Sequence, residues 1–181
     1  MASATVRHAR REDASVILEL IQALAAYEKE PRIDATVEAI RDTIAFAAPA
    51  SAEDGITVPE TEPISPNRPS RCLLLFDPED KAIALALYFY NYSTWQAKPG
   101  IYLEDIFIQP SERGKGYGRR LMVELAKQAV AMQAGKMDWA VLKWNAPSIK
   151  FYERIGAKVM DEWAGMRIEG RAMEELARFY D

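Results

Sequence analysis

Arg113-Gly-Lys-Gly-Tyr-Gly118 decides the fold through what stands on either side of it. Upstream, Ile101-Tyr-Leu-Glu-Asp-Ile-Phe-Ile108 has the β-branched and aromatic content of a strand, and Pro110 ends it. Downstream, Met122, Leu125, Ala126, Ala129 and Val130 mark one apolar face of a helix starting near Arg119. Glycine adopts φ > 0 and lets a ligand approach the main chain closely. Successive N–H groups in such a turn, ending on a helix N-terminus, form an anion site suited to a pyrophosphate. Arg113, Lys115 and Arg119 add positive charge around it. A P-loop needs Ser or Thr after its Gly-Lys, but Gly116 follows Lys115. A dinucleotide fingerprint needs two residues between its second and third glycines, and only Tyr117 lies there. On the glycines alone, a plain flexible turn stays open.

Outward from the loop, Arg71–Phe76 and Ala82–Tyr92 read as strands separated by the turn residues Asp77-Pro-Glu-Asp80. In the second, Ile83, Leu85, Leu87 and Phe89 alternate with Ala84, Ala86, Tyr88 and Tyr90. Both faces are apolar, as in a central strand covered on two sides. Thr5–His8 is a short first strand. Asp13 is the N-cap of a helix carrying Ile17, Leu20, Ile21 and Leu24, which ends near Tyr27–Glu30 before Pro31. A second helix starts at Asp34 or Thr36. Met137–Lys143 is a strand. Asn145 caps a helix bearing Ile149, Tyr152 and Ile155, closed by Gly156. Short strands at 157–160 and 163–168 and a helix at 171–179 finish the pattern. It is an α/β (or α+β) fold: a mixed, mostly antiparallel central sheet with helices on both faces.

Residues 49–70 hold five of the ten prolines (Pro49, Pro59, Pro63, Pro66 and Pro69) and read as a surface insertion within one domain spanning 1–181. No apolar run reaches the roughly 18–20 residues of a membrane span. Nor does the N-terminus have the apolar stretch of a secretory signal, so the expectation is a cytoplasmic protein that does not engage membranes. The net charge of −4, from 23 basic and 27 acidic residues, disfavours nucleic-acid binding. One cysteine, Cys72, excludes an internal disulfide and a multi-thiolate site. One histidine, His8, leaves neither a His-based metal cluster nor a Ser/His/Asp triad, so no metal is expected.

Arg113–Gly118 resembles the acyl-coenzyme A loop of the GNAT acetyltransferase superfamily, Gln/Arg-x-x-Gly-x-Gly/Ala. Leu24-Ala-Ala-Tyr-Glu28, Tyr102-Leu-Glu-Asp105 and Trp144-Asn-Ala-Pro-Ser-Ile-Lys-Phe-Tyr152 resemble its spermidine/spermine N-acetyltransferase branch. The resemblance covers nearly the whole chain outside 49–70. It implies that acetyl-CoA is the co-substrate, with Ile106, Phe107 and Ile108 offering main-chain groups to the pantetheine arm. Arg113, Gly114, Lys115, Gly116, Tyr117, Gly118 and Arg119 would hold the pyrophosphate, and Asn145, Ser148 and Tyr152 would contact the coenzyme from its other side. It also implies a homodimer.

An aliphatic ammonium is no nucleophile until it loses a proton, and a departing thiolate gains from receiving one. Tyr152 is the candidate acid, matching the family tyrosine beside the coenzyme sulfur; its residue-level alternative is packing on the Ile149–Ile155 stripe. Glu104 is the candidate base, acting through a water. It interrupts an apolar strand, where a buried carboxylate is uncommon without a task. The alternative is a solvent-facing edge residue. Asp105 follows on the opposite face as a structural residue. Glu28 matches an acidic residue facing cationic substrates, and Trp95 an aromatic one able to hold a cation; the alternatives are a solvated charge at a helix end for Glu28 and ordinary core or interface packing for Trp95.

The branch usually has an aspartate where Ser93 stands, and a tryptophan where Met166 follows Gly165. One carboxylate fewer makes a lysine-like amino acid or another small primary amine as good a candidate as a polyamine. The expected activity is direct acetyl transfer to a small cationic amine within a ternary complex. Protein lysine acetylation and non-catalytic acyl-CoA binding are the alternatives.

Overall fold

The computed structural model describes residues 4–48 and 60–180, so the 49–59 part of the expected insertion lies outside the described residues. Residues 60–70 form isolated bridges only, Ala47 with Thr61 and Ser65 with Arg68 among them. The chain divides into two compact units, Met1–Ala140 and Val141–Asp181.

The first unit carries β1 (Thr5–His8), α1 (Ala14–Glu28), α2 (Val37–Thr43), β2 (Arg71–Phe76), β3 (Ala82–Ser93), β4 (Lys98–Ile108), α3 (Tyr117–Ala131) and β5 (Lys136–Trp139). Its sheet has the order β1-β2-β3-β4-β5, antiparallel except for the β4–β5 pair. This is the mixed, mostly antiparallel sheet expected. α1 buries Ile17, Leu20 and Leu24 against Cys72, Leu74, Phe76, Leu85 and Phe107. On the other face Tyr88, one position out of phase with Leu87, donates to Gln128 Oε1 of α3 at 2.6 Å. Helices therefore cover both faces.

Cover fails along the outer half of β3. Ala82–Ala86 are buried, but Tyr90 and Tyr92 are exposed. The two-sided apolar reading therefore holds for the first half only, where α1 and α3 both reach.

Asp13 stands before α1 without a side-chain cap bond. It instead forms a two-point ion pair with Arg7 (2.6 and 3.0 Å) and accepts from the Arg10 main-chain N–H. Thr36 does cap α2, accepting from Ala39 N at 3.1 Å. α1 ends where Lys29 turns left-handed at φ 62°. The strand expected over 137–143 is shorter, ending at Trp139 opposite Leu103.

His8 is buried, 3.0 Å from the Tyr88 hydroxyl. The same hydroxyl meets Gln128 at 2.6 Å, so His8, Tyr88 and Gln128 form one buried hydrogen-bonded chain. Burial, and then the Arg71 charge, lower its pKa to about 4. Cys72 is buried, and burial raises its thiol pKa well above the usual range, in keeping with a structural thiol.

The second unit holds α4 (Ala146–Arg154) and α5 (Gly170–Ala177). Asn145 caps α4 as expected, its side chain accepting from Ser148 N at 3.3 Å, and Gly156 follows at φ 96°. The strands expected at 157–160 and 163–168 do not form. Alternating apolar residues make a strand only where a neighbour takes up their main-chain groups, and no ladder reaches these residues.

Candidate active site

The centre of the first unit is the outer end of β4. Gly100–Leu103 pair with β3 on one side and with β5 on the other. Because β5 stops at Trp139, Asp105–Ile108 keep only β3, and the other edge of β4 carries no ladder there among the described residues. Ile106, Phe107 and Ile108 lie on that one-sided stretch. An open strand edge is a row of main-chain donors and acceptors available to an extended ligand.

At the point where pairing changes, the ladder with β3 skips a residue. Leu87 pairs with Asp105 and Tyr88 with Leu103, leaving Glu104 as the extra residue of a β-bulge. Glu104 is consequently exposed, not buried as its apolar surroundings suggested. The bulge also shifts the parity of the residues beyond it. Asp105, expected on the face opposite Glu104, falls in the row of Leu87 and Cys72, on the α1 side. Partial burial and the nearby charges of Glu104 and Glu28 raise its pKa to about 6. Glu28, at the last position of α1, has its own pKa raised by burial and by Glu30. Three carboxylates thus share one electrostatic neighbourhood, which favours a cation.

A short turn at Pro110–Glu112 leads from β4 into the glycine loop. Gly114 and Gly116 have φ 82° and 85°, in the left-handed region, with open space where a Cβ would stand. Backbone conformation, not crowding, requires glycine here. α3 begins at Tyr117, so Gly118 lies inside its first turn, two residues earlier than the apolar spacing indicated. None of the main-chain N–H groups from Gly114 to Arg119 has a protein acceptor among the described residues. They fit an anionic pyrophosphate by their chemistry and by their place at a helix N-terminus.

Two of the three cationic side chains of the loop, Arg113 and Lys115, are already engaged. Lys115 pairs with Glu112 at 2.8 Å. Arg113 Nε donates to Ile108 O at 3.2 Å, and its guanidinium lies 4.5 Å from the Tyr27 ring centroid and 5.7 Å from that of Phe107. Tyr27 went unmarked in the sequence because its partner is 86 positions away. Trp95 is 90% exposed in the turn between β3 and β4, whereas Ser93 is buried. In the second unit Asn145 and Tyr152 are buried, and the Tyr152 ring lies 5.2 Å from that of Phe151. Among the described residues no group of three or more His, Cys, Asp or Glu is placed to hold a metal, and no helix is long and apolar enough to cross a membrane.

In the first unit an open strand edge leads into a glycine turn and helix N-terminus suited to an anion. The chain belongs to the acetyltransferase (GNAT) family, whose model matches residues 34–157, and within it resembles the spermidine/spermine N-acetyltransferase branch. It is an N-acetyltransferase. It is 31% identical to a thialysine N-epsilon-acetyltransferase of Sus scrofa, over 98% of this chain and 99% of that protein. An L-ornithine N5-acetyltransferase of Arabidopsis thaliana is 43% identical, across 50% of this chain and 40% of its own length. An integron cassette protein from the mobile metagenome of V. cholerae shares the fold, with a TM-score of 0.71 at 22% identity, covering 97% of this chain and 98% of that one.

Proposed function

We propose that this protein acetylates the side-chain amine of a small basic amino acid of the lysine, thialysine or ornithine type, using acetyl-CoA. The observation carrying this reading is the group of Glu28, Glu104 and Asp105 beside an open strand edge. A site holding several carboxylates favours a cationic amine. Ser93, standing where a polyamine enzyme usually has aspartate, leaves fewer charges for a substrate with three or four ammonium groups. The relatives named for thialysine and ornithine support the same choice.

Acetyl-CoA supplies the acetyl thioester. On this reading the N–H groups of Gly114–Arg119 hold its pyrophosphate, and main-chain groups of Ile106–Ile108 hold the pantetheine arm. Asn145 and Ser148 add further contacts to the coenzyme. Arg113, Lys115 and Arg119 set the positive potential of the loop. Glu28 and Asp105 hold the ammonium end of the substrate, and Trp95 offers an aromatic face. Glu104 accepts a proton from the amine through a water, and its exposure leaves room for that water. The Tyr152 phenol donates to the sulfur as it leaves. Transfer is direct, within one ternary complex.

The second unit exposes Val159, Met160, Trp163, Met166, Met173 and Leu176. An apolar surface of this kind supports the homodimer, and sedimentation at micromolar concentration tests it. A cytoplasmic site of action belongs to the same reading.

The deciding experiment incubates the protein with acetyl-CoA and a panel of ornithine, lysine, thialysine, putrescine, spermidine and lysine-containing peptides, following CoA release. Fastest turnover is expected with a diamino acid. Faster turnover of spermidine or of a peptide would replace the substrate assignment, and no release with any amine would overturn it.

A further inference from the structure

We propose that Tyr27 is a positioning residue that, through Arg113, couples the pyrophosphate loop to the substrate carboxylate Glu28. The proposal rests on the reading above of the loop and of Glu28. Arg113 is the last residue before the left-handed Gly114. Its main-chain N–H donates to Pro110 O at 3.3 Å and its Nε to Ile108 O at 3.2 Å, so both ends of the side chain's root are fixed to the exit of β4. The guanidinium then extends over the Tyr27 ring at 4.5 Å, with Phe107 of β4 at 5.7 Å. A cation over an aromatic face is attracted by the ring quadrupole, and an arginine plane also restricts how the ring can move.

Tyr27 is followed directly by Glu28, the last residue of α1, and then by Lys29 in the left-handed conformation. The end of a helix frays unless something holds it. The last turn of α1 is closed by the Glu30 N–H donating to Ala25 O at 2.9 Å, and the anion loop adds a side-chain contact to that turn. The conformation of Arg113–Gly116 therefore bears on where the Glu28 carboxylate sits, and ordering of the loop by a pyrophosphate steadies the last turn of α1. Two ligands that order the same element bind with positive cooperativity, because the second meets a smaller ordering cost.

The test uses the full-length protein and two substitutions. Tyr27→Ala removes the ring; Tyr27→Phe keeps its face. Melting temperatures establish that both are folded. Tyr27→Ala is expected to raise the amine KM about fivefold, the scale of a partly exposed cation–π contact, with kcat within about twofold. Tyr27→Phe retains the wild-type KM. Hydrogen exchange over residues 24–30, with coenzyme A alone as the probe, gives a readout independent of turnover. Added coenzyme A is expected to slow exchange there in the wild type and in Tyr27→Phe, and to leave it unchanged in Tyr27→Ala. Equal slowing in Tyr27→Ala, or a Tyr27→Phe variant as impaired as Tyr27→Ala, overturns the coupling. Wild-type protein inert toward every amine would defeat the functional reading instead, while the exchange arm still decides whether loop and helix communicate.

Discussion

β4 behaves as two different strands joined at Leu103. From Gly100 to Leu103 it is paired on both sides, with Ile101 and Leu103 buried; beyond the unpaired Glu104, Asp105 to Ile108 are paired on one side only, and the stretch carries two adjacent carboxylates. Both halves are extended, and both pair with β3. What separates them is the end of β5 at Trp139 and the single unpaired residue Glu104. The inner half uses its main-chain groups and side chains to hold the sheet together. The outer half leaves one edge without a ladder and places two carboxylates beside it.

The sharpest contrast comes from adjacent substitutions. Leu103→Ala is expected to destabilise the protein by about 2–5 kcal/mol, the cost of truncating a fully buried leucine, read as a lower midpoint in denaturant. Glu104→Gln should leave that midpoint unchanged while lowering kcat about 100-fold, the contribution of a positioned base. A stability loss in Glu104→Gln matching that of Leu103→Ala would erase the distinction between the halves.

Asp105 is expected to oppose the two demands. Its pKa is raised in the fold, to about 6 from an ordinary 3.8. Below pH 3.8 the carboxyl is protonated in both folded and unfolded chains and costs nothing. As pH rises toward 6 the unfolded chain ionises first, and stability from this group is lost. At pH 7.5 Asp105→Asn should therefore raise stability, by on the order of 2 kcal/mol, and raise the amine KM about tenfold. In the wild type the amine KM should climb as pH falls below about 6, where Asp105 loses its charge. A KM flat from pH 7.5 to 5.5 would remove Asp105 from the cation site.

The smallest effect belongs to the loop. Gly116→Ala meets no neighbour but must hold φ near 85°, a strain of about 1–2 kcal/mol. The free loop relaxes out of that conformation and the bound loop must regain it, so equilibrium dialysis should register roughly fivefold weaker acetyl-CoA binding with a melting temperature lowered by at most a few degrees.

Much of this was legible from residue order. Strand composition between turn residues located β2, β3 and β4, the apolar spacing of α1 and α3 placed helices on both faces, α2 starts just after Thr36, one of its two expected starts, and Asn145 caps α4 as expected. Three features were not legible, each for a physical reason. The bulge is invisible to an argument that assumes constant alternation, although adjacent Glu104 and Asp105 in an apolar strand hint that one is out of phase. Trp139–Lys143 has strand composition throughout, but the end of β5 depends on a neighbour, as does the absence of strands at 157–168. The Tyr27–Arg113 contact joins elements far apart in sequence, and only folding brings them together.

The bulge also makes this chain unusual to edit. Leu103 faces Tyr88, Asp105 faces Leu87, and nothing pairs with the residue between them. Glu104 is therefore the one position in β4 whose deletion would leave every later residue in its present register with β3. A chain shortened there would close into an uninterrupted ladder, lacking only the carboxylate assigned to proton removal. Loss of a single codon would thus yield an unbroken ladder and, on the role proposed for Glu104, a much slower enzyme.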